Sequence, residues 1–194
     1  MSTLAAGFAD TSHDAQRMFR AVLDAFSHPG RIVSVPAESE TADALSAATT
    51  AFVLTLVDRE TPLWLAPAFD STEVRDFVRF HTGAPIVTDT AAAAFGLLTV
   101  SDASMFDGFA IGSDPYPDRS ATLVIQVPAL RGGPSRTLRG PGIDGSATAG
   151  IAGLDHSFWS VWASNHALFP CGVDVVFTAG SELLALPRSI TVEA

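Results

Sequence analysis

The sequence contains no lysine; all eleven residues of its Lys+Arg count are arginine. Without a primary amine on a side chain there is no Schiff base to pyridoxal phosphate or to a carbonyl substrate. A P-loop is excluded too, since its lysine reaches the terminal phosphates. Cysteine is almost absent: Cys171 stands alone, so an intrachain disulfide is impossible, and a reducing cytoplasm is the expected compartment. Charge is scarce, with 16% Asp, Glu, Lys and Arg, against roughly 25% in an ordinary globular chain. Long apolar runs are missing. The longest, Ala91 to Leu98, falls well short of the ~18 residues of a membrane span. No arginine precedes Arg17, so no basic signal-peptide region is expected either.

What is present is an apolar, acidic chain of 194 residues with a net charge of −10. That length normally forms one domain with a substantial core. A negative chain with scattered arginines lacks the basic footprint of a nucleic-acid binder and is disfavoured at anionic membranes. An apolar chain short of charged groups is expected to bury surface against partners, which points to oligomerisation or complex formation.

Periodicity supplies the elements. A helix capped by Thr11 or Ser12 carries Ala15, Met18, Phe19, Val22, Leu23 and Phe26 on one stripe and stops at Pro29-Gly30. A short strand follows at Arg31–Val35, then a helix at Thr41–Ala48. Phe52–Val57 and Leu63–Ala66 read as a strand hairpin. Asp70 with Glu73 resembles a capping box before Val74, Phe77 and Val78. Ile86–Val87, Phe95–Val100 and Ala121–Val127 are expected strands, with a short helix at Ala103–Phe109 and a loop at Gly112–Ser120. Arg136–Arg139 is expected to return beside the strand Ala121–Val127, and residues 140–153 to form a flexible connection. His156–Ala167 is the last helix, and Val173–Phe177 with Leu183–Leu186 the last hairpin. The expected architecture is a three-layer α/β/α domain with a mixed sheet over 13–194, preceded by a loose segment 1–12.

Candidate sites are few. Gly140-Pro141-Gly142-Ile143-Asp144-Gly145 has GxGxxG spacing, but Pro141 interrupts it and no strand–helix context surrounds it, so it reads as a turn. Asp155-His156-Ser157 has triad letters only, because adjacent helical residues point apart; Asp155 reads as an N-cap. The histidines at 13, 28, 81, 156 and 166 make no ligand-type spacing. Cys171 reads as a buried structural thiol without an activating neighbour. Arg75 and Arg79, four apart with His81 just beyond, either favour an anionic ligand or are basic groups suited to a helix C-terminus. The residues assign no catalytic, cofactor or metal site.

Several segments, taken in order, resemble the PhnH family of phosphonate metabolism. They are Phe19 to Gly30; Leu54 to Asp58 with Thr61 to Leu65; Arg79 to Val87; Ala121 to Val127 with its Gly-Gly turn; and Leu138 to Ile143. The C-terminal stretch, Phe169 to Asp174 and Leu186-Pro187-Arg188 through Val192-Glu193, is the clearest part. Cys171 departs from the aliphatic residue expected there. The resemblance covers nearly the whole chain. It implies a fold like the pyridoxal-phosphate-dependent transferases without the cofactor, a homodimer, and assembly with PhnG, PhnI and PhnJ. That assembly attaches a phosphonate to the ribose of a nucleoside triphosphate, and the radical cleavage of the C–P bond falls to PhnJ. No catalytic residue is implied for this subunit. Arg79, His81 and Arg188 lie in family-like stretches and are the candidate anion-binding residues.

Overall fold

The computed structural model describes residues 5–35, 42 and 44–193. In chain order the elements are α1 (Thr11–Ser27), β1 (Val33–Ser34), α2 (Ala47–Leu56), β2 (Leu63–Leu65), α3 (Thr72–Thr82), β3 (Ile86–Val87), β4 (Phe95–Thr99), β5 (Ile111–Ser113) and β6 (Tyr116–Ser120). There follow β7 (Thr122–Gln126), β8 (Arg136–Arg139), β9 (Ala147–Ala149), α4 (His156–His166), β10 (Asp174–Ala179), β11 (Glu182–Leu186) and β12 (Thr191–Glu193).

A seven-stranded sheet runs in the order β1-β11-β10-β7-β4-β2-β3. Strands β10, β7, β4, β2 and β3 are mutually parallel, and β11 is antiparallel to both of its neighbours. The sheet is therefore mixed, as expected. Alternation along the central strands sends side chains into two cores. Leu97, Val124 and Val176 meet α1, α2 and α3 on one face. Leu98, Leu123, Ile125 and Phe177 meet α4 and Leu138 of β8 on the other. The second face also carries a small sheet, β12-β8-β9, and the β5–β6 hairpin stands apart from both sheets.

Local physics explains where the helices begin. Asp10, not Thr11 or Ser12, caps α1: its carboxylate accepts from His13 N at 3.1 Å, while Asp14 accepts from Asp10 N at 3.0 Å. Ser71 caps α3 by accepting from Val74 N at 3.2 Å. The expected Asp70–Glu73 box gives way because Asp70 is engaged by Arg75, whose Nη2 donates to Oδ2 at 2.8 Å.

The largest departure lies at Phe52–Val57, which is helical and not a strand. Six consecutive residues of α2, Ala48 to Val53, are buried. A helix enclosed on all sides has no polar stripe, and its sequence cannot be told by periodicity from a buried strand. The expected hairpin is thereby lost, and β2 pairs in parallel with β3 and β4. The helix expected at Thr41–Ala48 begins only at Ala47 under the Ser46 cap, with Ala44 and Leu45 in a turn; Thr41 and Asp43 lie outside the described residues. Arg136–Arg139 does not return beside β7, because both edges of β7 are occupied by β4 and β10. It pairs with β9 and β12. Gly112–Ser120 is the β5–β6 hairpin and not a loop. Ala103–Phe109 holds turns and no helix, after a single 3-10 turn at Val100–Asp102. Residues 140–153 include β9 and the buried Ile151. The C-terminal hairpin β10–β11 forms as expected.

Candidate functional site

The three candidate anion-binding residues do not converge. Arg79 and His81 lie in the last turn of α3, on the first face of the sheet. Arg188 follows β11 and is tied to α4 on the opposite face: His166 Nδ1 donates to its carbonyl at 2.8 Å. Arg79 is exposed and makes no ion pair among the described residues. His81 donates from Nε2 to the carbonyl of Ala5 at 2.9 Å, pinning the segment before α1 to the end of α3. The residue whose proximity to this end was not foreseen is Arg59. Its side chain lies where a β-carbon on Gly83 would stand 3.0 Å away, and Gly83 holds the left-handed C-cap of α3 at φ 68°. The last turn of α3 thus carries Arg79 and His81, with Arg59 against its C-cap, and neither arginine makes an ion pair among the described residues. The partial negative charge of a helix C-terminus stabilises them and works against an anion approaching along the helix axis.

Arg188 is already neutralised. Its main-chain N–H donates to Asp174 Oδ1 at 2.8 Å and its Nε to the same oxygen at 3.1 Å. Nη2 pairs with Oδ2 at 2.5 Å, and Nη1 donates to the carbonyl of Pro117 at 2.9 Å. The pair lines an open cleft of about 360 Å³ with Pro117, Phe169 and Pro187, but the guanidinium is committed to its own carboxylate.

The remaining motifs have structural roles. Gly142 has φ +84°, and a β-carbon there would meet the carbonyl oxygen of Ser27 at 2.3 Å. The glycine run therefore lets the chain pass against the end of α1. Asp155 caps α4, accepting from Ser157 N at 2.9 Å, Ser157 Oγ at 2.6 Å and Phe158 N at 3.2 Å. Cys171 is half-buried and not buried, lying in the turn just before the chain enters the core at Gly172 and Val173; Sγ lies 3.8 Å from Asp114 Oδ1. Among the described residues no three His, Cys, Asp or Glu side chains are grouped to hold a metal ion. None of the described helices is long and apolar enough to cross a membrane.

A family model described as bacterial phosphonate metabolism protein (PhnH) matches residues 6–193. The chain belongs to the PhnH family. A Rhizobium meliloti (strain 1021) protein named alpha-D-ribose 1-methylphosphonate 5-triphosphate synthase subunit PhnH is similar to it, with 40% identity over 96% of this chain and 94% of that protein. A second relative, HtxG of Stutzerimonas stutzeri, is 31% identical over 90% of this chain and 83% of that protein; its name assigns it provisionally to a C-P lyase. Both relatives are thus named as subunits. For such a protein the surface matters as much as any cleft. Five of the large hydrophobic side chains left exposed (Met105, Ile111, Tyr116, Leu168 and Phe169) lie on or beside the β5–β6 hairpin and the end of α4. The sequence carried only an indirect sign of this, the scarcity of charged residues.

Proposed function

We propose that this chain is a non-catalytic, accessory subunit of the carbon–phosphorus lyase core assembly. The assembly forms ribose 1-methylphosphonate 5-triphosphate from a nucleoside triphosphate ahead of C–P bond cleavage. The observation that carries the reading is near full-length similarity, at 40% identity, to a protein named as a subunit of that synthase. A cytoplasmic homodimer that joins PhnG, PhnI and PhnJ fits the same reading. It is supported by the single cysteine and by a chain that is 47% hydrophobic yet only 16% charged. The likeness to pyridoxal-phosphate transferases without the cofactor belongs to this proposal, and the lack of any lysine supports it. The test is to tag the protein in its own gene neighbourhood and identify what co-purifies under phosphate starvation. Recovery of PhnG, PhnI and PhnJ is the expected result. A homodimer free of all three, or turnover by the isolated chain, would refute it.

A second reading is an independent anionic-ligand-binding or regulatory protein of phosphonate metabolism, favoured by one observation: Arg59 and Arg79 make no ion pair among the described residues. On that reading millimolar methylphosphonate or ATP raises the melting temperature, and Arg79→Ala removes the rise while leaving assembly intact. An unchanged melting temperature in the wild-type protein would eliminate the site.

A further inference from the structure

We propose that the face built by the turn at Met105, the β5–β6 hairpin and the end of α4 docks a partner protein through an apolar side chain flanked by arginine or lysine. The inference rests on the accessory-subunit reading and deepens it by assigning a surface and the chemistry that fits it. A cleft of about 200 Å³ opens between the hairpin and α4, lined by Phe106, Ile111, Val161, Leu168 and Val173, with Asp107 beside it. Small-molecule clefts begin at ~300 Å³, so this one suits a single large side chain better than a free ligand. Ile111 and Leu168 of its lining are 40% and 47% exposed, and Met105 and Phe169, next in the chain to the lining residues Phe106 and Leu168, are 44% and 59% exposed. An apolar cluster with a pocket near its centre is the usual form of an interface hot spot.

The cluster is held in place before any partner arrives. Gly172 N donates to the carbonyl of Ile111 at 2.8 Å, and Ala121 N to that of Ala110 at 2.7 Å. Arg188 fastens the hairpin through the carbonyl of Pro117 at 2.9 Å. Little ordering is then required on binding.

Charge selects the occupant. Asp107, Asp114 and Asp118 are exposed along this face. Of the basic groups beside them Arg188 is neutralised by Asp174, and Arg119, over the ring of Tyr116 at 4.3 Å, keeps its charge, so among the described residues three carboxylates face one free guanidinium. An isologous contact between two copies would bring these aspartates toward their own equivalents, and like charges across an interface disfavour association. A basic, apolar segment of a different protein has the complementary character.

The experiment co-expresses the full-length chain with PhnG, PhnI and PhnJ and compares wild type with Leu168→Arg and the surface double variant Asp107→Arg/Asp118→Arg. Phe19→Arg, on the exposed side of α1, is the control. Loss of a hot-spot anchor should lower recovery of the partners about tenfold or more for Leu168→Arg. The double variant should lower it in the same direction, Phe19→Arg should leave it unchanged, and melting temperatures should report that each protein is folded. The proposal is overturned if the folded double variant recovers the partners like wild type. It is also overturned if the variants lose only self-association, which would assign the face to a second copy. Failure of the wild-type chain to recover any of the three subunits refutes the subunit reading itself, and this inference with it.

Discussion

Arg188 and Asp174 grip each other through both carboxylate oxygens, with Nε to Oδ1 at 3.1 Å and Nη2 to Oδ2 at 2.5 Å. The side chains are 13% and 19% exposed. The pair joins the exit of β11 to the entry of β10, and the remaining guanidinium nitrogen reaches the β5–β6 hairpin. A partly buried, fork-on-fork pair loses much when one member is removed, because the other charge stays in place unpaired. Arg188→Ala should cost on the order of 2 kcal/mol in urea unfolding. Arg188→Lys should recover only part of this, since an ammonium cannot span both oxygens.

Thr49 ties the start of α2 to the strand ends beneath it. Its hydroxyl donates to Gln126 Oε1 at 2.8 Å and lies 2.7 Å from the hydroxyl of Thr178, and both threonines are fully buried. Thr49→Val keeps the shape but takes the hydroxyl partner from the buried Thr178, while Gln126 Oε1 still accepts from Ser46 N at 2.7 Å. The expected loss is roughly 1–3 kcal/mol, read from the urea midpoint at unchanged slope. A loss below a few tenths would mean that water enters to replace the hydroxyl.

Gly142 is constrained by backbone, not by a side chain that can move aside. Gly142→Ala places a methyl 2.3 Å from the Ser27 carbonyl at φ +84°, so destabilisation of at least ~2 kcal/mol is expected. Gly145, also at positive φ, has nothing within 4 Å of its would-be β-carbon, and alanine there should cost less. Equal melting temperatures for the two variants would contradict the packing described.

Acid should weaken the fold through three carboxyls. Hydrogen bonds from Arg75 lower Asp70, those from Ser157 Oγ and Phe158 N lower Asp155, and those from Arg131 lower Glu182. A depressed folded-state value means that the contribution is complete above the ordinary values of 3.8 for aspartate and 4.5 for glutamate, and is lost as pH falls through the lower folded values. Asp70 and Asp155 are exposed and Glu182 is half-buried at the surface, so each effect is small and screened by salt. Melting temperatures measured from pH 7 to pH 2 should drop on the acid side, and Asp155→Asn should make that drop shallower. An identical acid profile for the variant would rule out the cap as a contributor.

Much of the architecture was legible in the residues. The stripe of Met18 and Val22, the stop at Pro29-Gly30, the β10–β11 hairpin and the mixed sheet follow from local spacing and turn chemistry, because those signals act over a few residues. Asp155 as a cap was legible for the same reason. Resemblance in ordered segments from Phe19 to Glu193 carried the family, and the comparisons bear it out.

Other features needed the tertiary structure. The residues Phe52–Val57 are apolar throughout, so only enclosure by neighbouring elements decides between helix and strand. The neighbours of β7 were not foreseeable from β8, since pairing is set by which sheet edges remain free. The separation of Arg79 and His81 from Arg188 is a matter of which face of the sheet each segment reaches. Asp174 as the partner of Arg188, and the gathering of Phe106, Ile111 and Leu168 around one cleft, join positions far apart in the chain. The sequence by itself determined the class, the family and the lack of any side-chain amine; long-range packing alone decided which charges are neutralised and which apolar side chains are left exposed.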